Sequence, residues 1–200
     1  MQNGTRPLTL MSEDFERAAW ALECDVPAVR AVDAVESRGS GFLSDGRLRI
    51  LFEGHQFYRY SNGVFAESHP TICHPKWTRE NYAKGDAEAR GRGEIERLEL
   101  AKSLNVKAAL MSASVGRFQL MGFNFALCGY TSVEAFWEDL IKSEREHLKA
   151  FCNYVKAVGL DAPLREHKWQ EFARRYNGPD YQKNRYDEKL RKAWERFSRR

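Results

Sequence analysis

The sequence predicts a mainly helical α+β fold with one small antiparallel β-sheet. Three observations lead there. Apolar residues recur at helical spacing through most of the 200 residues. The period changes to two only after Asp45-Gly46, a pair suited to a tight hairpin turn. No internal repeat or low-complexity linker divides the chain, so residues 1–200 read as one domain with a core from about 10 to 195.

Ser12 is placed to cap a first helix running to about Glu23, with Phe15, Ala18, Ala19 and Leu22 as its apolar stripe. Pro27 suits the first turn of a second helix. Val26, Val29, Val32 and Val35, with Ala28, Ala31 and Ala34 beside them, leave this helix few polar positions, so it is expected to be deeply buried and to stop near Gly39. Leu48, Ile50 and Phe52 then alternate as a short strand, expected to pair back onto residues 41–44. Residues 54–60 return to helix. From Asn62 to Gly93, Pro70, Pro75, Gly85, Gly91 and Gly93 mark the most loop-like region. Residues 94–105 read as an amphipathic helix, 106–111 as a shorter one, and 132–158 as helix in one or two pieces. A helix from Trp169 to Tyr176 is stopped by Asn177-Gly178-Pro179, and a last one spans 181–197.

The composition narrows the function classes. A hydrophobic fraction of 42% supports a packed core and excludes a disordered chain. The net charge of +4 favours anionic partners such as nucleic acid, anionic lipid or an envelope polymer, without choosing among them. Cys24, Cys73, Cys128 and Cys152 are scattered, with no CxxC pair, and read as reduced thiols, mostly core, rather than a disulfide scaffold. His69, Cys73 and His74 lack a second ligand cluster, so no metal site is expected. No apolar run is long enough to span a membrane. The stretch from Met1 to Trp20 is interrupted by Glu13, Asp14 and Glu16 and reads as no signal peptide.

Four features carry candidate chemistry. Glu36 ends an almost wholly apolar helix. A carboxyl beside an apolar wall is poorly hydrated when ionised, which raises its pKa and suits a general acid; the alternative is a solvated glutamate at a helix end. Glu53 follows the strand and, by alternation, lies opposite the Leu48, Ile50 and Phe52 face. It is the candidate second carboxylate across a cleft, or else a partner for Arg47 or Arg49, with Asp33 and Asp45 as weaker candidates for the role. The stretch from Ser112 to Gly122 combines small residues with Gln119, whose amide both donates and accepts; alone, it is a flexible loop. Tyr176 and Asn177 bring a phenol and an amide to an otherwise ordinary helix-ending turn.

Taken in order, these pieces resemble the lysozyme-like superfamily of goose-type lysozymes and soluble lytic transglycosylases, and more closely the N-acetylmuramidase domain of phage endolysins. The stretches that carry the resemblance are Val35-Glu36-Ser37-Arg38-Gly39-Ser40-Gly41-Phe42-Leu43, Ile50-Leu51-Phe52-Glu53-Gly54-His55-Gln56-Phe57, Ala113-Ser114-Val115-Gly116-Arg117-Phe118-Gln119-Leu120-Met121-Gly122 and Phe172 to Pro179. The resemblance implies a lysozyme-like fold with a long cleft. It implies that Glu36 protonates the glycosidic oxygen between N-acetylmuramic acid and N-acetylglucosamine; Glu53, as the candidate second carboxylate, would then orient water or stabilise positive charge. Ser114, Gln119, Tyr176 and Asn177 would contact substrate, and the chemistry needs no metal or cofactor. Val115 stands where an aromatic residue is common in relatives, which puts one wall of the cleft in doubt.

The implied partner is the peptidoglycan glycan strand rather than nucleic acid, bound by a monomer without a separate cell-wall-binding module. The implied setting is the host bacterial cytoplasm before lysis, then the periplasm and cell wall. Two rivals stand beside this reading: a lytic transglycosylase giving anhydro-muropeptides, and a non-catalytic basic protein binding cell wall or nucleic acid. Lys183, Arg185, Lys189, Arg191, Lys192, Arg196, Arg199 and Arg200 crowd the last helix around Leu190, Ala193, Trp194 and Phe197. That helix is either docked on the core with a solvated basic face or available to an anionic outer-membrane surface.

Overall fold

The computed structural model describes residues 9–37 and 39–199, without the side chains of residues 179 and 180. Residues 1–8 of the N-terminal stretch read as no signal peptide, Arg38 of the motif after Glu36, and Arg200 lie outside the described residues.

Helix α1 (Ser12–Leu22) starts one residue earlier than a Ser12 cap would allow. Met11 N donates to Asp14 Oδ2 at 2.9 Å, so the Asp14 carboxylate satisfies that helix end. Helix α2 (Val26–Glu36) is capped by Asp25, whose side chain accepts from Ala28 N at 2.7 Å, and has Pro27 in its first turn. It ends at Glu36, before Gly39. Its burial is one-sided: Ala28, Val29, Ala31 and Val32 are in the core, whereas Ala34 is exposed and Val35 partly so. An all-apolar helix was expected to be covered all round; here the uncovered stripe borders grooves.

The sheet differs from the expected hairpin. Strand β1 (Ile50–Phe52) pairs antiparallel with β2 (Ala113–Val115), and β2 with β3 (Leu120–Met121). The segment 41–44 contributes only a bridge between Phe42 and Leu48, closed by Leu43 N to Arg47 O and Arg49 N to Gly41 O, both 2.8 Å. The central strand therefore comes from a stretch that reads as a loop, because three residues are too few to show a period. Ile50, Phe52, Ala113, Val115 and Leu120 face the core. Leu51, paired with Ser114, and Met121, paired with Ser114, occupy the other face.

Helix α3 is Gly54–Tyr60, α4 is Ala87–Leu104 and α5 is Val106–Met111. Helix α4 begins inside the expected loop. Asp86 caps it through Ala89 N at 2.8 Å. Gly91 is not a helix breaker here but a point of close approach: a Cβ on it would lie 2.4 Å from Leu43. The 132–158 region splits into α6 (Val133–Leu140) and α7 (Glu144–Ala157), and a short α8 (Asp161–Arg165) was not anticipated. Helix α9 is Trp169–Asn177, followed by a 3₁₀ turn (Pro179–Asn184) and α10 (Tyr186–Ser198). Helix α10 lies along α2 and α9, burying Leu190 and Ala193, so α2 is held between α1 and α10. Phe52, Phe57, Phe136, Phe151 and Phe172 are fully buried in one continuous core. The four cysteines are free, three of them buried. Among the described residues no helix is long and apolar enough to cross a membrane.

Candidate active site

Glu36 is the last residue of α2, so the packing that fixes the helix also fixes its carboxyl. The side chain borders a cleft of about 340 Å³. One wall is Val35 and Glu36, a second runs from Phe118 to Met121, and a third is aromatic and amide: Tyr154, Tyr176, Asn177 and Tyr186. Asn177 Nδ2 donates to Glu36 Oε1 at 3.0 Å. Burial is the largest influence on Glu36 and pushes its pKa above the usual glutamate range; the Asn177 hydrogen bond and the charge of Lys189 pull the other way. The net shift is upward, toward the protonated form, on a carboxyl that faces a cavity.

Tyr176 stacks on Phe172 (5.6 Å between centroids) and donates from its hydroxyl to Phe118 O at 3.4 Å. Burial and the neighbouring Glu36 hold its phenol well above the usual value, so it stays a neutral donor. Gln119 adopts a left-handed backbone (φ 49°), after Gly116 at φ 73°. Its Nε2 donates to Gly116 O at 2.8 Å and its Oε1 accepts from Ser114 Oγ at 3.0 Å. Ser114 is 6% exposed and does not line the cleft; it holds Gln119 from behind.

Glu53 also stands outside that lining. It follows β1, donating from its backbone N to Ser112 O at 2.9 Å. Its Oε2 accepts from Tyr82 OH at 2.7 Å, and His55 Nδ1 lies 3.4 Å from the same oxygen. Trp77 Nε1 in turn donates to Tyr82 OH at 3.1 Å. Burial and the Glu53 carboxylate push the Tyr82 phenol up. Strand alternation puts Glu53 on the sheet face of Leu51 and Ser114.

The two weaker carboxylate candidates are committed elsewhere. Asp45 is bound by Arg47 on the turn, whose hydrogen bonds draw its carboxyl below the usual range. Asp33, one turn before Glu36, takes both Nε and Nη2 of Arg117. Arg117 Nη1 also donates to Gly39 O and, at 3.0 Å, to Glu144 Oε2. Glu144 Oε1 accepts from Gly41 N at 2.8 Å. The loop leaving Glu36 is thus tied on both sides by one buried ionic cluster that sequence reasoning missed. His69, Cys73 and His74 do not converge: His74 Nδ1 bonds Lys76 O at 2.8 Å, and His69 Nδ1 bonds Ser68 at 2.9 Å.

The sequence profile of the family described as N-acetylmuramidase matches residues 25–198. The chain belongs to the N-acetylmuramidase family. The crystal structure of the Burkholderia AP3 phage endolysin is similar to this muramidase, with a TM-score of 0.87 and 41% identity over 99% of this chain and 74% of that one. No curated protein matches in sequence. The muramidase is therefore a glycoside hydrolase of peptidoglycan with a lysozyme-like α+β fold. Within its cleft, the sequence pointed to Glu36, Gln119, Tyr176 and Asn177; it did not point to Asn124, Tyr154 or Tyr186, which stand singly in otherwise helical or polar segments.

Proposed function

We propose that the protein is an endolysin in which Glu36 gives its proton to the glycosidic oxygen between N-acetylmuramic acid and N-acetylglucosamine. The observation that carries this is a carboxyl raised by burial, held by Asn177 and facing an open cleft. As the bond breaks, the muramic ring passes through an oxocarbenium-like state. Gln119, Tyr176 and Asn177 contact the sugars, and Ser114 acts through Gln119. Glu53 remains the second carboxylate. Tyr82 orients it by a hydrogen bond and His55 Nδ1 stands 3.4 Å away, leaving it to direct water or to offset the positive charge.

Purified peptidoglycan supplies the test. Clearing by Glu36→Gln should fall about 10²- to 10⁴-fold below wild type, as removal of a general acid does. Equal clearing by the two proteins contradicts the assignment. Mass analysis of the products should show hydrated muramic ends; anhydro ends would instead indicate transglycosylation.

The docked reading of the basic C-terminal helix has support in the burial of Leu190 and Ala193 against α2, since an outer-membrane role through that apolar face would require α10 to leave the core. We read the protein as a monomer held in the host cytoplasm until lysis, then acting on the wall from the periplasm. Nucleic acid is not part of this reading.

A further inference from the structure

The basic residues of α10 fall into two sets. Arg185 pairs with Glu188, and Arg191 with Glu195 at 2.6 Å, both within the C-terminal segment itself. Lys189, Lys192 and Arg196 follow another stripe of the helix, and among the described residues no carboxylate forms an ion pair with any of them. Like charges three and four residues apart repel one another on a helix. Lys189 and Arg196 lie over the rings of Tyr186 and Phe197, but among the described residues no ion pair neutralises any of the three cations, so the stripe presents net positive charge to a ligand.

These three side chains line a groove of about 450 Å³ whose floor is Ala34, Val35 and Ala193. Val35 also lines the Glu36 cleft, so the two depressions meet at that residue. Lys189 lies over the ring of Tyr186, 5.3 Å from its centroid, and Tyr186 is a wall of the cleft. The groove is therefore a cationic side branch of the site that holds the scissile bond, with an apolar floor and charged rim.

The substrate of a muramidase has a matching branch. Each muramic residue carries, through its lactyl group, a short peptide with free carboxylates. We propose that the groove of Lys189, Lys192 and Arg196 receives this stem peptide and pairs with its carboxylates, so that the enzyme reads the peptide as well as the glycan. The proposal rests on the N-acetylmuramidase reading and adds a specificity site to it. Exposed ion pairs are individually weak and screened by salt, so the groove sets preference rather than chemistry.

The test compares soluble glycan strands bearing stem peptides with the same strands stripped of peptide by an amidase. The readout is the ratio of kcat/KM on the two, for wild type and for Lys192→Gln/Arg196→Gln; Lys189 stays in place because it also bears on Glu36. Wild type should prefer the peptide-bearing strand. The double variant should lose about fivefold of that ratio, with Lys192→Arg/Arg196→Lys restoring it, and added salt should shrink the wild-type preference. A ratio equal in wild type and double variant overturns the proposal, including the case in which both rates fall together. Loss of binding to phosphatidylglycerol vesicles with an unchanged ratio also overturns it and assigns the groove to anionic lipid. A wild type that cleaves neither strand overturns the muramidase reading itself, and this one with it.

Discussion

Glu36 sits between opposing influences, and its chemistry depends on their balance. Burial favours the protonated form; the Asn177 amide and the Lys189 charge favour the ionised form. Removing either opponent should raise the pKa further. The alkaline limb of a kcat/KM profile reports the acid's pKa in the free enzyme, so Asn177→Ala should move that limb to higher pH, as should Lys189→Gln. A limb that moves down would reverse the assigned polarity. The same burial has a stability cost. With its folded pKa above the 4.5 of an ordinary glutamate, Glu36 binds more proton in the folded state, and stability is lost as pH rises through that folded value. Glu36→Gln should therefore melt higher than wild type at neutral pH and converge with it below the ordinary glutamate pKa. His147 works in the opposite sense. It is buried, accepts from Arg117 N at Nδ1 and bonds Leu140 O through Nε2, and its pKa is pushed down from 6.5 to about 4. Denaturant titrations should show stability falling by up to about 3 kcal/mol as pH drops from 6.5 to 4, and a flatter profile in His147→Gln. Glu36 was legible from the sequence because a carboxyl ending an apolar helix is conspicuous. The sequence offered Ser114 and Gln119 alike as polar residues of one loop, and nothing local says that Ser114 is the one buried behind the other.

Among elements, the one that ties down the chain around Glu36 is the Arg117 cluster joining α2, the loop after it and the start of α7. Its members are nearly buried, with side-chain exposures of 14% for Arg117, 11% for Asp33 and 3% for Glu144. Removing the cation leaves two buried carboxylates uncompensated, so Arg117→Ala should lower unfolding stability by about 3–5 kcal/mol, measured by denaturant. Arg117→Lys should not restore it, because a point charge cannot serve Asp33 bidentately while reaching Gly39 and Glu144. Gly41 lies against the same cluster: a Cβ there would fall 2.3 Å from His147 and 2.8 Å from Arg117 N. This cluster was invisible in the sequence because Asp33 and Arg117 are distant in the chain and neither segment has a pattern that names its partner. The early start of α4 was hidden for a related reason. Gly91 reads as a breaker until Leu43 is seen packed against it.

For the whole molecule, the fold class was legible because most elements are helices long enough to show their period. The sheet was legible only in part. Its turn and first strand are local, but its central strand pairs residues 50–52 with 113–115, across the helices between them. The cleft is likewise non-local, drawing walls from α2, β3, α7, α9 and α10. That explains why Glu36, Gln119, Tyr176 and Asn177 could be found by motif, whereas Tyr154 and Tyr186 could not. The proposed function asks one thing of those walls, that burial favour the proton on the carboxyl of residue 36. Carbon-13 NMR of side-chain carboxyls, with Glu36→Gln to assign the resonance, reads that proton directly. The Glu36 signal should titrate above the 4.5 of an ordinary glutamate. An inflection at or below that value would mean that the carboxyl is ionised in the free enzyme and cannot be the acid.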